Sequence, residues 1–236
     1  MTNSAANSIL VTGSNRGLGL EWVRQFAADD WRVFATCRYP SEADELKRLA
    51  EQFPNISLHR LDVTSHEDLY ALRRELNDQS LDILLNNAGT YLEKGELSLG
   101  HINYEDWSKT FHVNTMGAVR VTEGLVNQLS RGQKRLVVVT SSHMGSITDI
   151  ASPGSYYYRS SKAALNAAAI SLSIELKPKG IGLLIVHPGA VRTRMGGPES
   201  ILDPDESVEA MRGLLERFTM AQSGLFLRFD GSEIPW

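Results

Sequence analysis

The sequence predicts a doubly wound α/β fold, a parallel sheet with helices on both faces. Three observations carry that expectation. Short apolar, β-branched runs alternate with amphipathic stretches along the chain. The runs lack strict in–out alternation, as suits strands buried on both faces of a parallel sheet. The first run passes directly into a glycine-rich turn and then a helical pattern, as in a phosphate-binding strand–turn–helix unit.

Strands are expected at 9–12, 32–37, 56–60, 81–85, 136–140 and 182–187, with 224–229 as a candidate last strand. Helices are expected near 17–29, 41–52, 65–77, 104–130, 155–177 and 205–218. Several helix starts are marked. Thr64 and Ser65 each precede an acid by three residues, Glu67 and Asp68. Asp203-Pro204-Asp205-Glu206 supplies a cap, a first-turn proline and first-turn acids. The least regular stretch is 190–204, with Gly196-Gly197-Pro198. It follows a strand end, where ligands bind in such sheets, and is expected to act as a lid, a simple connection being the alternative. No repeat or linker divides the pattern. One domain over 8–236 is expected, behind a disordered tail of residues 1–7.

Composition narrows the function. The 236 residues are 42% apolar and 22% charged, with a formal charge of −4. No basic stripe exists for a phosphate backbone, so nucleic acid is not an expected partner. The single cysteine, Cys37, permits neither an internal disulfide nor a cysteine-built zinc site, and no metal is expected. It fits a reducing compartment. No run approaches the roughly 18 apolar residues of a membrane span. The first residues also lack the basic start and apolar stretch of a signal peptide, so a cytoplasmic location is expected. Asn55-Ile56-Ser57 matches a glycosylation sequon, which has no meaning without secretion.

The glycine turn reads Thr12-Gly13-Ser14-Asn15-Arg16-Gly17-Leu18-Gly19. Glycines allow a tight turn and close backbone approach, and the following helix offers free N–H groups to a pyrophosphate. Gly13, Asn15, Arg16, Gly17, Leu18 and Gly19 are therefore expected to cradle a dinucleotide. An acid at the end of the second strand would bind the ribose 2′-hydroxyl of NAD. Cys37 stands there instead, followed by Arg38. Arg38 and Arg16 can pair with a 2′-phosphate, so NADP(H) is expected over NAD. The alternative is two solvated surface arginines.

Tyr158-Arg159-Ser160-Ser161-Lys162 opens a helix. Residues four apart share a helix face, so the phenol and the ammonium can share a cleft. A free tyrosine titrates near about 10, and a nearby cation favours the phenolate. The pair suits proton exchange with an alcohol or carbonyl oxygen. Tyr156 and Tyr157 have no lysine four residues on, which leaves them packing or pocket-wall roles. The fifth strand ends Thr140-Ser141-Ser142-His143-Met144-Gly145, where a serine hydroxyl can align a substrate oxygen. A Ser142/His143 hydrolase is excluded, because the strand lacks the G-x-S-x-G elbow.

These motifs, in this order, resemble the short-chain dehydrogenase/reductase family over about residues 8–236. The glycine spacing T-G-x-x-x-G-x-G is that family's own. The resemblance extends to the branch of insect sniffer-type carbonyl reductases and bacterial C-factor-like proteins, through Thr36-Cys37-Arg38, Arg192-Thr193-Arg194-Met195-Gly196-Gly197 and Phe229-Asp230-Gly231. It implies a seven-stranded parallel sheet of order 3-2-1-4-5-6-7. It selects Ser142 over Ser141 as the catalytic serine, three residues before Gly145. It implies that Asn114 holds a water in a relay to Lys162, although a buried, satisfied asparagine is the alternative. Asp62, with the backbone of Val63, would bind the adenine amino group, or else Asp62 caps a helix. Asn87, Ala88 and Gly89 would line the adenosine ribose. Pro188, Gly189, Val191 and the Thr193 hydroxyl would bind the nicotinamide amide, and Tyr158 and Lys162 would also touch the cofactor. Ser142 and Tyr158 are farther apart than is commonest in the family, which points to an inserted loop between them.

The implied reaction moves a hydride between NADP(H) and a small carbonyl or alcohol while Tyr158 gives the proton. The rival implication is an NADP-binding signalling protein whose output needs no turnover. Tyr91, His143, Met144, Tyr156 and Met195 are pocket candidates by position. Ala163, Ala164, Ala167, Ala168 and Ala169 would let the Tyr158 helix pack closely, on its own sheet or in a homodimer.

Overall fold

The computed structural model describes residues 7–93 and 99–236. Residues 1–6 of the expected tail lie outside the described residues. Asn7 is already tied down, its carbonyl accepting the Arg32 N–H at 2.8 Å.

Seven strands form one sheet: β1 (Ser8–Thr12), β2 (Arg32–Cys37), β3 (Ile56–Arg60), β4 (Ile83–Asn86), β5 (Leu136–Thr140), β6 (Gly182–His187) and β7 (Phe226–Arg228). The spatial order is 3-2-1-4-5-6-7 and every pairing is parallel. The implied topology therefore holds. Every strand residue of β1 is buried, as expected for a strand covered on both faces. Ile9 and Val11 face one helical layer, α1 (Gly17–Ala28), α2 (Asp44–Gln52) and α7 (Pro204–Glu216). Leu10 faces the other, α3 (His66–Glu75), α5 (Gly117–Ser130) and α6 (Tyr156–Leu176). Each large side chain sealed between the layers, Trp22 or Leu125 for example, adds about 1.5–3 kcal/mol over an exposed one.

Local chemistry sets the boundaries. Of the two capping candidates before α3, Ser65 is the one used, its hydroxyl accepting the Asp68 N–H at 3.1 Å. Asp203 and Glu206 close a reciprocal capping box on α7. Helix α2 starts later than expected because Pro40–Glu42 form a separate tight turn. Strand β4 starts later too, at Ile83; the preceding Asp82 turns its carboxylate to take N–H groups from Ser8, Gln133 and Lys134. The last strand is shortened on its approach by Gly224, at φ +92°.

The largest correction concerns the expected helix over 104–130. It is α4 (Tyr104–Phe111), a π turn over His112–Met116, and α5. A π turn is one extra residue in a helix, and hydrophobic spacing alone does not reveal it. It carries Asn114, which is 1% exposed.

The sequon amide is used inside the fold, with Asn55 Nδ2 donating to the Ala27 and Trp31 carbonyls at 2.8 Å each. The alanines of α6 divide: Ala169 is buried against the sheet and Ala167 is exposed. No described helix is long and apolar enough to cross a membrane.

Candidate active site

Parallel strands bring their carboxyl ends to one edge, and the strand order reverses between β1 and β4. Crevices form at such a switch point. A cleft of about 1790 Å³ opens there. Its lining includes Gly13, Asn15, Arg16, Gly17, Leu18, Gly19, Arg38, Asp62, Val63, Asn87, Ala88, Gly89, Tyr158, Lys162, Pro188 and Thr193.

One half of the cleft is backbone. Gly13 sits at φ +70°, a conformation that favours glycine. A Cβ at Gly19 would lie 2.1 Å from the Gly13 carbonyl oxygen and 2.7 Å from Asn87 Nδ2, so no other residue fits. Thr12 welds this turn to the next. Its hydroxyl accepts the Asn87 and Ala88 N–H groups at 3.0 Å each, and Asn87 Nδ2 donates to the Thr12 carbonyl at 3.0 Å. Thr12 stands directly before the glycines in the sequence, which is the signal of this structural role. Helix α1 begins at Gly17 with no acidic residue in its first turn, so its free amides face the cleft without a competing carboxylate.

Arg16 and Arg38 are exposed at the rim, and no acid stands at the end of β2. Cys37 is buried beside them, and burial pushes its thiol above the usual range. Asp62 does not cap α3. Its Oδ1 accepts the Thr64 N–H and hydroxyl at 2.8 and 2.7 Å, which turns the chain along the cleft wall. These features suit a dinucleotide carrying an extra phosphate. They comprise a cradle only glycines permit, a helix N-terminus, and two guanidiniums in place of the acid.

The other half is side-chain chemistry. Helix α6 carries Tyr158 and Lys162, one turn apart, into the cleft. Lys162 is 4% exposed, and its Nζ donates to the Thr140 carbonyl at 2.7 Å and lies 5.6 Å from the Tyr158 ring centre. Tyr158 is half-buried, with the Ser142 hydroxyl close enough to influence its phenol. The Ser141 hydroxyl is committed elsewhere, donating to Asn166 Oδ1 at 2.6 Å. The Tyr91 ring meets Tyr158 edge-on at 5.0 Å, and Met195 Sδ lies 4.0 Å from the Tyr158 hydroxyl.

Burial pushes the Tyr158 phenol up to about 12; the neighbouring Ser142 hydroxyl opposes this and Tyr91 adds to it. The expected lowering by the lysine is not what prevails. Desolvation wins, because Lys162 points to the Thr140 carbonyl and is itself brought down to about 8 by burial. Across neutral pH the pair is a neutral phenol and a mostly charged amine. Beneath Pro188, burial, then His143, Arg228 and Lys162, bring His187 down to about 4, so it stays neutral.

Asn114 has both amide donors used and one bond on its oxygen. Its Oδ1 accepts the Thr90 N–H at 2.7 Å, and its Nδ2 donates to the Thr90 carbonyl and Ser161 Oγ at 2.9 and 3.0 Å. Gly89 leaves a gap between this group and the amine, since a Cβ there would lie 3.5 Å from Asn114 Oδ1 and 3.9 Å from Lys162 Nζ.

Of the five pocket candidates, Tyr91 and Met195 line the cleft and three do not. Tyr156 is drawn toward Trp107, with ring centres 6.3 Å apart. His143 is held by Asp149 at 2.6 Å and lies 3.4 Å from Arg228 Nη1. Met144 belongs to the tight turn His143–Gly145, its N–H on Ser142 Oγ at 3.2 Å. Gly189 and Val191 also stand behind the lining; Val191 is buried in a bridge with Leu202. The expected lid contributes Arg192, Thr193, Arg194 and Met195 to the cleft. An ion pair from Arg192 to Asp203, 2.6 Å long, closes it on itself.

Sequence reasoning missed Glu93 and Thr90, in the irregular stretch after Gly89. Glu93 is 3% exposed, and its carboxylate accepts the Tyr157 and Tyr158 N–H groups at 2.9 Å each.

Comparison with known proteins agrees with this architecture. The family model for short chain dehydrogenases matches residues 7–201. The C-signal protein of Myxococcus xanthus is 39% identical over 156 residues, which cover 66% of this chain and 93% of that protein. The carbonyl reductase Sniffer of D. melanogaster superposes with a TM-score of 0.88 at 31% identity, covering 98% of this chain and 100% of the other. An NADPH-bound carbonyl reductase from chicken fatty liver gives 0.88 at 31% identity, over 98% and 99% of the two chains.

Proposed function

The chain belongs to the short chain dehydrogenase family, and we propose that it is an NADP(H)-dependent oxidoreductase that reduces a small aldehyde or ketone with Tyr158 as proton donor. One observation carries the reading. A phenol with a serine hydroxyl beside it and a buried amine one helical turn behind it sits on the wall of a glycine-cradled cleft.

The residues divide the work. Gly13, Gly17, Gly19 and the first amides of α1 receive the pyrophosphate. Arg16 and Arg38 pair with the 2′-phosphate as planar forks. Asp62, Val63, Asn87, Ala88 and Gly89 hold the adenosine, and Pro188 with Thr193 orients the nicotinamide. When bound, the reduced nicotinamide supplies the hydride. The Ser142 hydroxyl and the Tyr158 phenol hydrogen-bond the carbonyl oxygen and fix its distance to the acid. Because burial keeps the phenol protonated at neutral pH, Tyr158 is charged with the proton the new alkoxide needs. The Lys162 ammonium beneath the ring stabilises the phenolate left behind. The Gly89 gap suits a water joining Asn114 to Lys162 for reprotonation.

NADPH oxidation over a panel of aldehydes, ketones, quinones and dicarbonyls tests the reading, with NADH in parallel. Rates with NADH equal to those with NADPH would sink the cofactor assignment. A cytoplasmic, reducing location is part of the proposal. So is a homodimer through α6, where Ala167 and the 69%-exposed Ile174 lie open; sedimentation measures it. The likeness to the C-signal protein favours a second reading, NADP-dependent signalling without turnover. Full biological output from a Tyr158→Phe chain would select it.

A further inference from the structure

Helix α6 starts badly by local rules. Its N-cap residue, Ser155, is left-handed at φ +52°, directly after Gly154 at φ +81°. Its side chain does not cap the helix. The hydroxyl is engaged elsewhere, 3.2 Å from the Tyr91 phenol. The first intrahelical bond runs from the Arg159 N–H to the Ser155 carbonyl, leaving the amides of Tyr156, Tyr157 and Tyr158 without helical acceptors. An uncapped start would fray, and it carries the phenol.

We propose that Glu93 is the positioning residue for Tyr158: its buried carboxylate caps α6 from a separate loop and holds the backbone of the catalytic tyrosine itself. This rests on the reading of Tyr158 as proton donor. One carboxylate oxygen takes the Tyr157 N–H and the other the Tyr158 N–H, so the bridge fixes both the height and the rotation of the first turn. The negative charge also sits at the positive end of a 21-residue helix.

The loop that supplies Glu93 reaches the rest of the site. Ala88 is bonded to Thr12, Thr90 to Asn114 on both backbone groups, and the Tyr91 ring packs against Tyr158. One short segment thus runs from the glycine turn to the acid. Glu93 holds the phenol in register with the cofactor cradle, and it does so without touching substrate. The substitution Glu93→Gln keeps one oxygen acceptor and turns an NH₂ toward the second amide. The substitution Glu93→Ala keeps neither acceptor.

The test compares Glu93→Gln, Glu93→Ala and Tyr158→Phe, using the fastest carbonyl of the panel and NADPH deuterated at C4. Glu93→Gln is expected to lower kcat roughly 10- to 100-fold, as small misplacements of a reacting group do. The carbonyl KM and the NADPH Kd should stay within about twofold of wild type, and the deuterium isotope effect on kcat should rise as the chemical step becomes limiting. The order Glu, Gln, Ala should be graded. Hydrogen exchange at the Tyr157 and Tyr158 amides should quicken in Glu93→Gln, which keeps the test open where Glu93→Ala does not fold. Wild-type kcat in Glu93→Gln beside a dead Tyr158→Phe overturns the Glu93 role alone. So does a loss that follows only the folded fraction, with an unchanged isotope effect. Turnover surviving in Tyr158→Phe overturns the underlying reading as well.

Discussion

The two ends of the sheet use the same kinds of polar groups to opposite purposes. At the amino end, the Asp82 carboxylate is 4% exposed and saturated by the chain: the Ser8 N–H at 2.8 Å, the Ser8 hydroxyl at 3.2 Å, and the Gln133 and Lys134 N–H groups at 2.6 and 3.0 Å. It clamps β1 and β4 to the turn before β5. At the carboxyl end, polar groups are left open. The first turn of α1 has no carboxylate, and Arg16 and Arg38 reach solvent. His187 Nδ1 and Thr140 Oγ1 have no hydrogen-bond partner among the described residues. Groups satisfied by the protein hold the fold. The open groups on the cleft wall, the first amides of α1 with Arg16 and Arg38, are available to a ligand.

Substitutions should separate the two ends cleanly. The largest effect belongs to Tyr158→Phe. Turnover should fall by about 100- to 10,000-fold while the melting temperature and NADPH affinity stay near wild type, because general acid catalysis of this kind is worth about 10² to 10⁴. Steady-state rates and NADPH fluorescence titration measure both halves. Asp82→Ala should do the reverse. Leaving its donors unpaired costs about 2–4 kcal/mol, or a melting temperature lower by roughly 5–15 °C, with kcat per folded molecule unchanged. A kinetic defect there would break the comparison.

A pH series probes the carboxyl end alone. Lys162 is charged below about 8. Reduction rates should be level up to that region and fall above it as the ammonium is lost, and Lys162→Met should remove the inflection. The stability term has the opposite sign. Between about 8 in the fold and about 10.4 in the unfolded chain, the unfolded chain holds the extra proton, so stability rises with pH there. The smallest effect is expected at the exposed rim. Arg38→Asp should shift the NADPH/NADH preference by about tenfold toward NADH, an effect that added salt weakens, since solvated charges are screened.

Most of this is legible in the sequence because it rests on local rules. Buried parallel strands write themselves as apolar runs, and the glycine turn, Tyr158 with Lys162 and the Asp203 cap are each encoded within a few residues. What is not legible depends on partners far along the chain. Glu93 reads as one acid in an irregular stretch, and only the fold brings it 64 residues forward to the Tyr157 amide. Tyr156 reads as a pocket wall, but Trp107 claims its ring. The titration of the phenol escapes for the same reason: spacing puts a cation nearby, but burial outweighs it.

The π turn over His112–Met116 acts as a phase shifter. One extra residue advances everything after it by about 100° around the helix axis. Up to the shift, Tyr104, Ser108 and His112 face the cleft; after it, α5 presents Val121, Leu125 and Leu129 to the core. Deleting one residue between the two would restore a regular helix and let only one of those faces stay in phase. The chain length across this segment is therefore fixed as tightly as any side chain in the site, though no atom of the segment needs to take part in the reaction for that to be so.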